Sequence, residues 1–481
     1  MLKYIVYIAN FISFLFLFMR LNRRKNLRYE GKKLLIVVSS WQLTPVPFLT
    51  LIYGKLFQKI GVKVEILHLD GNFSQSNIGA VLENKCIRFA IYLSGMRSIE
   101  KSAQHGSPLG KYVLENYAKL NAIWQLKSEY SPSQAKEEQR QLIELEKFDK
   151  QLAEYSLNQY DMVFIGGGVT GPSGLVYEVC KKQDVQICTF DSSTSEKILF
   201  CSNGRAPKLD DLPVSLNLVR VQSSGMSQHL KTQADQEIEK RVRGTDTFGY
   251  QLEATALETK KFDIGIFMNS TWDGAVLGSN RLFDGNLDWL RQTLHHIINN
   301  TNYTVIIRQH PAEAHPHMKS NVDYSKELAS YLKNNRVRFI KADEKVNSYS
   351  ILKNVHSVIF STSTIGLEAA IFGKPVLTPS ESYITKAKLL SVPNSHQDYF
   401  GIIDTLPKIS PINIDKAKEL YALSQSYNWI STLLNCNNIQ RWWRMNEEQL
   451  LNCGGVQLVL QSAMQKQPAS YLKLLEGFIN E

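Results

Sequence analysis

Between residues 262 and 377, short apolar runs alternate with helical stretches so regularly that few folds accommodate the pattern. Phe262–Met268, Tyr303–Arg308, Val337–Ile340, Ser357–Phe360 and Pro375–Leu377 read as strands. Leu287–Ile298, Tyr324–Leu332, Ser348–Lys353 and Ile365–Phe372 read as the helices between them. Five strands joined by four helices predict a doubly wound parallel sheet. Such a sheet binds ligands beyond the carboxyl ends of its strands, so the loops after the strands are where chemistry is expected.

At 481 residues the chain exceeds what one core usually organises, so a second domain is expected. Lys33–Ser39 is a β-branched apolar run that reads as a buried parallel strand. The stretch Phe48–Ile60 is helical in pattern, Gly61 breaks it, and Val62–Leu69 is a second strand, which together make a right-handed βαβ unit. From about 96 to 156 the chain turns helical, with Ser131, Pro132 and Gln134 as a capping box that sets proline at the first helical position. Asp161–Ile165 is a strand that runs into Gly166, Gly167 and Gly168, and Val185–Phe190 is a further strand. Residues 205–260 read as a polar connector and residues 408–481 as mainly helical, with Trp442 and Trp443 as packing residues. The expected division is therefore 1–30, 31–204, 205–260, 261–407 and 408–481.

Tyr4–Met19 carries no charge, yet as a helix it reaches only ~24 Å against a hydrocarbon core of ~30 Å. Only Lys3 precedes it, and Arg20, Arg23, Arg24, Lys25 and Arg28 follow, which is the reverse of a cleaved signal peptide. Tyr4, Tyr7, Phe11, Phe14 and Phe18 form one aromatic stripe, as expected of a helix lying in a membrane interface; packing on the protein itself is the other reading. Lys plus Arg 55 against Asp plus Glu 45 leaves +10, of which +6 falls within residues 20–33. So local an excess suits an anionic membrane surface better than nucleic acid.

Three loops of the second domain are distinctive: Asn269 and Ser270 after the first strand, His310 and Pro311 after the second, and Ser361, Thr362, Ser363, Thr364 and Gly366 after the fourth. Hydroxyls and backbone N–H groups at a helix start suit a phosphate, with Ser361 and Thr362 as first choices, and Glu368 one turn on suits a ribose hydroxyl. His310 suits a hydrogen bond to phosphate or protonation of a leaving group. Arg308 either faces the same side or only covers the sheet. His315 and His317 read as a surface pair, and neither histidine spacing nor the six scattered cysteines suggest a metal site. Asp70, beside His68, and Asp191 end strands of the first domain and are candidate general bases.

The runs VIIRQHP (Val305–Pro311) and VIFSTSTIGLEAAIFGKPVL (Val358–Leu377) resemble the carboxy-terminal domain of GT-B glycosyltransferases, and among them the capsule polysaccharide biosynthesis proteins. That group includes the β-Kdo transferases and shares its motifs with bacterial GT-B sialyltransferases. The resemblance covers roughly residues 262 to 380. It implies an α/β, GT-B-like fold of two doubly wound parallel-sheet domains facing across a cleft, with an N-terminal apolar helix and C-terminal helices. It implies that His310, Pro311, Ser361 and Thr362 contact the nucleotide and phosphate of an activated sugar, CMP being the nucleotide in the relatives with the nearest motifs. Asn269, Ser270, Arg308, Ser363, Thr364, Gly366 and Glu368 complete that nucleotide-sugar side, and Ser39, Ser40, Gly167, Gly168 and Thr170 form the acceptor-side loops. Asp70 with Gly71 only partly matches the sialyltransferases' acidic motif, and with His310 it makes the expected catalytic pair. The activity implied is metal-independent transfer, without a cofactor, to a saccharide or lipid-linked acceptor, by a cytoplasmic protein at the inner membrane. A nucleotide-sugar epimerase and a non-catalytic polysaccharide-assembly scaffold are the competing readings; the glycine-lysine-proline at Gly373–Pro375 also recurs in epimerases.

Overall fold

The computed structural model describes residues 2–21, 29–41, 43–44, 46–69, 77–102, 108–192, 197–245, 260–316, 318–431 and 446–480. The chain forms two compact units, the first from residues 1–122, 135–211 and 427–481 and the second from 123–134 and 212–426. In chain order the strands are β1 (Lys33–Ser39), β2 (Lys63–Leu69), β3 (Arg97–Ser98), β4 (Met162–Gly166), β5 (Ile187–Ser192), β6 (Ile198–Cys201), β7 (Phe262–Phe267), β8 (Val305–Arg308), β9 (Val337–Ile340), β10 (Val355–Phe360), β11 (Val376–Leu377) and β12 (Trp429–Ser431).

The sheet of the first unit has the order β12-β6-β5-β4-β1-β2-β3. Its pairs from β3 to β5 are parallel, whereas β6 runs antiparallel to β5 and β12 antiparallel to β6. The expectation of an all-parallel sheet is corrected here. The link from Ser192 to Ile198 is too short for a crossover, so the chain turns straight back. Residues 427–481 are not a separate helical segment either. They supply β12 and bury Val456, Val459 and Leu460 in the core of the first unit. The buried Tyr53 hydroxyl lies 2.9 Å from Ser431 Oγ and 3.1 Å from the Gly454 carbonyl oxygen, which ties this segment to α2 (Val46–Lys59). Trp442 and Trp443 lie outside the described residues.

At the amino terminus α1 (Leu2–Leu21) packs on α2 and on α3 (Asn77–Ser94). Its aromatic stripe faces inward. Tyr7, Phe14 and Phe18 are buried, and the Phe14 ring centroid lies 4.9 Å from that of Phe18 and 5.0 Å from that of Phe48. The stripe expected to meet a membrane is thus part of the protein's own core, since aromatic rings on α2 offer it a dry partner. Among the described residues, no helix is long and apolar enough to cross a membrane.

The second unit's sheet has the order β11-β10-β7-β8-β9, and every pair is parallel. From β7 the chain steps outward to β8 and β9, then returns to the other side of β7 for β10 and β11. The expected helix over 324–332 is two short ones, Tyr324–Glu327 and Ala329–Leu332. The helix Gln134–Ala153 begins two residues beyond Pro132 instead of at it.

The expected connector is also corrected. Leu212–Gln222 and Ser224–Arg243 are helices of the second unit. The latter is capped by Ser223, whose hydroxyl accepts the Met226 N–H, and closed by Gly244 at φ 70°. Met226, Leu230, Ala234 and Ile238 recur every four residues and are buried, which makes it an amphipathic helix packed on Ile414–Ala422. Residues 246–259 of that stretch lie outside the described residues.

Since Phe14 is fully buried among rings, Phe14→Ala should cost about 3–5 kcal/mol of stability. Urea unfolding of the full chain measures this, and a cost near zero would show that α1 is not part of the core.

Candidate functional site

β7 and β10 are neighbours, yet their following loops lead to opposite sides of the sheet, so a crevice opens between them at the point where strand order reverses. The Asn269 side chain bridges it, its Oδ1 accepting the Thr362 N–H at 3.3 Å. Beside it lies a cavity whose lining residues all belong to the second unit. Arg241, Arg308, His310, Ser363, Thr364 and Glu368 line it, with Tyr349, Pro311 and apolar wall from Phe267, Met268 and Ile365.

Arg308 and His310 are two residues apart at the end of β8, and both reach the cavity. Arg308 is buried, its guanidinium donating to the Lys341 and Glu344 carbonyls of the turn after β9. Its Nε has no partner among the described residues. Burial lowers its pKa to about 10, which still leaves it cationic at neutral pH. His310 precedes the turn Pro311–Ala314, and its Nδ1 accepts the Ala312 N–H at 3.2 Å. The neutral ring therefore carries its proton on Nε2. Burial pushes the imidazole pKa below 6.5; Asp273 opposes that, while Arg308 and Arg241 add to it. His310 is thus a neutral donor beside cations.

The hydroxyl run is distributed differently from expectation. Ser361, a first choice, bonds to Ser380 (Oγ to Oγ 2.9 Å) and is fully buried. Thr362 is buried with its Oγ1 lacking a partner among the described residues, and Ser363 and Thr364 reach the cavity. The helix that follows, Ile365–Ile371, has only seven residues. Gly366 serves packing rather than ligand approach. A Cβ there would lie 2.2 Å from the Phe360 ring. Ser270 is buried and bonds to Glu313, whose carboxyl burial pushes up in pKa and which also accepts from Ser320 (2.6 Å) and Gln309 (2.7 Å). That network braces the loop beside His310. His315 is exposed, and His317 lies outside the described residues.

Glu368 is held by tyrosines: the Tyr421 hydroxyl is 3.5 Å from its Oε1, and Tyr349 bonds to it as well. Arg241 Nε in turn lies 3.3 Å from the Tyr349 hydroxyl. Arg241 was missed by sequence reasoning, which placed it in the connector. The signal that finds it is the four-residue apolar spacing ending at Ile238, which continues the helix to Arg243.

In the first unit Ser39, Ser40, Gly167, Gly168 and Thr170 are all buried. Gly167, at φ 85°, lies so close to the Trp41 ring that a Cβ would approach it to 2.5 Å, and the Gly168 N–H is taken by Ser173 Oγ at 2.9 Å. This glycine turn is a packed junction, and these groups present no open surface to an acceptor. Asp70 and Gly71 lie outside the described residues, and so does any geometry for that base. Among the described residues, no three His, Cys, Asp or Glu side chains are grouped to hold a metal ion.

A histidine whose folded pKa lies below its unfolded value disfavours the fold as pH drops through that value. The wild type should therefore lose stability relative to His310→Gln as pH falls below 6.5, and the His310 resonances should titrate below 6.5 by NMR. Titration at or above 6.5 would overturn the neutral-donor assignment.

Residues 221–383 match the family described as capsule polysaccharide biosynthesis protein. No curated protein matches the chain. Similar solved structures include KpsC of Thermosulfurimonas dismutans as the beta Kdo 2,7 transferase, at 14% identity over 58% of this chain and 80% of that one, with a TM-score of 0.33. The beta Kdo 2,4 transferase of the same protein is 10% identical over 55% and 79%, with a TM-score of 0.37. The UDP-GlcNAc 2-epimerase of Neisseria meningitidis is 12% identical over 81% and 97%, with a TM-score of 0.28. The family match takes in the helix end that carries Arg241, all of β7 to β11 and every residue lining the cavity. This similarity to the capsule polysaccharide biosynthesis protein family covers residues 221–383, about a third of the chain.

Proposed function

We propose that this chain is a glycosyltransferase that moves a sugar from a nucleotide-activated donor to a saccharide acceptor of a surface polysaccharide. The observation that carries this reading is the division of labour inside one cavity. The cavity is lined by two guanidinium groups, a neutral imidazole donor and two hydroxyls, and also by a carboxylate fixed by tyrosines. The first set suits a phosphate. The second suits the hydroxyls of a sugar ring, since a fixed carboxylate accepts from paired O–H groups.

In the transfer, an acceptor hydroxyl oxygen bonds to the donor's anomeric carbon as the carbon–oxygen bond to phosphate breaks, and the departing phosphate keeps the electron pair. Arg241 and Arg308 neutralise the charge that develops there, and the His310 Nε2–H donates to the same group. Preorganisation is the gain. Arg308 is already clamped by two carbonyls and so needs no rearrangement when charge appears. The same groups supply this stabilisation without a bound cation. The acceptor's proton passes to a general base, for which the sequence offers Asp70.

Calorimetry with CMP, CDP and UDP tests the binding half of this reading. At least one should bind, and Arg241→Ala should weaken it about ten- to a hundredfold, the worth of a charged hydrogen bond. Absence of binding by all three would overturn the proposal. A panel of activated sugars tests the other half: turnover without an acceptor, to an isomer of the donor, would make the protein an epimerase.

A further inference from the structure

The end of β8 sends its side chains two ways. Arg308 and His310 reach the nucleotide cavity, whereas Gln309 between them lines a second cavity, of about 640 Å³. The turn after β9 belongs to the same partition. Its Lys341 and Glu344 carbonyls clamp Arg308, while Lys341, Ala342 and Asp343 line the second cavity. Gln309 ties the partition together, for its Nε2 donates to Glu313 at 2.7 Å and its Oε1 accepts the Ala342 N–H at 3.2 Å. Every residue that lines the second cavity belongs to the second unit, and its volume is that of a small-molecule site.

Tyr324 distinguishes this cavity from a mere gap. It is one of the lining residues, only 2% exposed, and its hydroxyl has no partner among the described residues. A buried hydroxyl left unpaired costs stability that a ligand oxygen recovers. Nearer the mouth, donors and acceptors are interleaved. Lys319 and Lys341 are exposed donors, Asp323 and Asp343 are exposed acceptors, and the half-buried Ser325 hydroxyl can do either.

That lining selects among ligands. Asp323 and Asp343 offset the two ammonium groups, so no surplus of positive charge is left for a polyphosphate. Tyr324 is the one aromatic residue of the lining and its ring is packed in the core of the second unit, so no ring face is offered to a nucleobase. Sugar hydroxyls, which donate and accept from the same oxygen, match interleaved ammonium, carboxylate and hydroxyl groups. We propose that the second cavity is a saccharide site which, on the function proposed above, holds a sugar of the acceptor chain other than the one that reacts. The donor's sugar and the reacting acceptor sugar both meet at the phosphate, and the groups that face the phosphate, Arg308 and His310, lie in the first cavity. A sugar in the second cavity is therefore a further one along the chain, and the site reads the polymer rather than the bond being made.

Binding of the full chain to an array of bacterial surface oligosaccharides, with no nucleotide present, tests the site. At least one oligosaccharide should bind. Lys319→Ala combined with Ser325→Ala should weaken that binding at least about tenfold, the worth of a charged hydrogen bond, while the same protein takes up the nucleotide found by calorimetry as well as wild type does. Tyr324→Phe should also weaken saccharide binding and leave the urea midpoint unchanged or higher, because the hydroxyl it removes has no partner among the described residues. A purely structural tyrosine would move the midpoint and spare the binding. A wild type that binds no oligosaccharide, or a double variant that binds as tightly as wild type, would overturn the proposal. If a saccharide binds and no nucleotide does, the transferase reading falls, and the acceptor role with it, while the saccharide site stands.

Discussion

The site depends on a buried positive charge. Arg308 sits at the end of an interior strand of a parallel sheet, where a guanidinium is costly to desolvate unless its N–H groups are satisfied. The turn after β9 supplies two carbonyls, and this is possible only because β8 and β9 are in parallel register, with Arg308 opposite Ile340 and the turn beginning at the next residue. One face of the guanidinium is thereby fixed while Nε is left unpaired beside the cavity. The strand order that creates the crevice therefore also holds a cation at its edge. Burial is the first reason that His310 stays neutral. Asp273 opposes it, while Arg308 and Arg241 both disfavour a charged imidazole and so add to it.

What was legible in the sequence follows from how each signal arises. The five strands of the second sheet were readable to within two residues, because interior parallel strands must be apolar on both faces and so stand out as continuous runs. Helix Ser224–Arg243 was not, because only one residue in four faces its partner helix and the rest are polar, which on composition alone looks like a linker. The hydroxyl run at 361–364 was readable as a site but not residue by residue. Where a strand gives way to a helix the side-chain period changes, so spacing no longer says which oxygen turns outward. Ser380, whose approach no local pattern announces, claims Ser361.

The first unit shows the complementary difficulty. Its glycines after β4 have the composition of a ligand turn, yet Trp41 and Ser173 fill the space they leave. Glycine signals a close approach without saying what approaches. Periodicity in α1 has the same character, for it defines a face and is silent about the medium that covers it. The aromatic stripe is the more conspicuous pattern in sequence, and the core took most of it, since the Phe48 ring of α2 packs against Tyr7, Phe11 and Phe14. Ile5, Ile8 and Ile12 were left outside, while Leu17 and Leu21 were buried with the rings.

The chemistry assigned to His310 follows from a single hydrogen bond. An imidazole at a leaving phosphate can serve as cation, as acid or as neutral donor. The first two need protons on both nitrogens, and here Nδ1 already faces the Ala312 N–H at 3.2 Å. Protonating Nδ1 would set two donors against each other, and the ring cannot rotate away without giving up the start of the turn that Pro311 fixes. A bound dianion would favour the protonated ring electrostatically, but two guanidinium groups share that dianion and reduce the gain. The neutral donor is the state that survives both constraints. His310 then contributes direction rather than charge, aligning the phosphate oxygen, while the arginines carry the electrostatics. Arg241 and His310 accordingly have separable jobs in one cavity, which is why Arg241→Ala and His310→Gln report on different parts of the same mechanism.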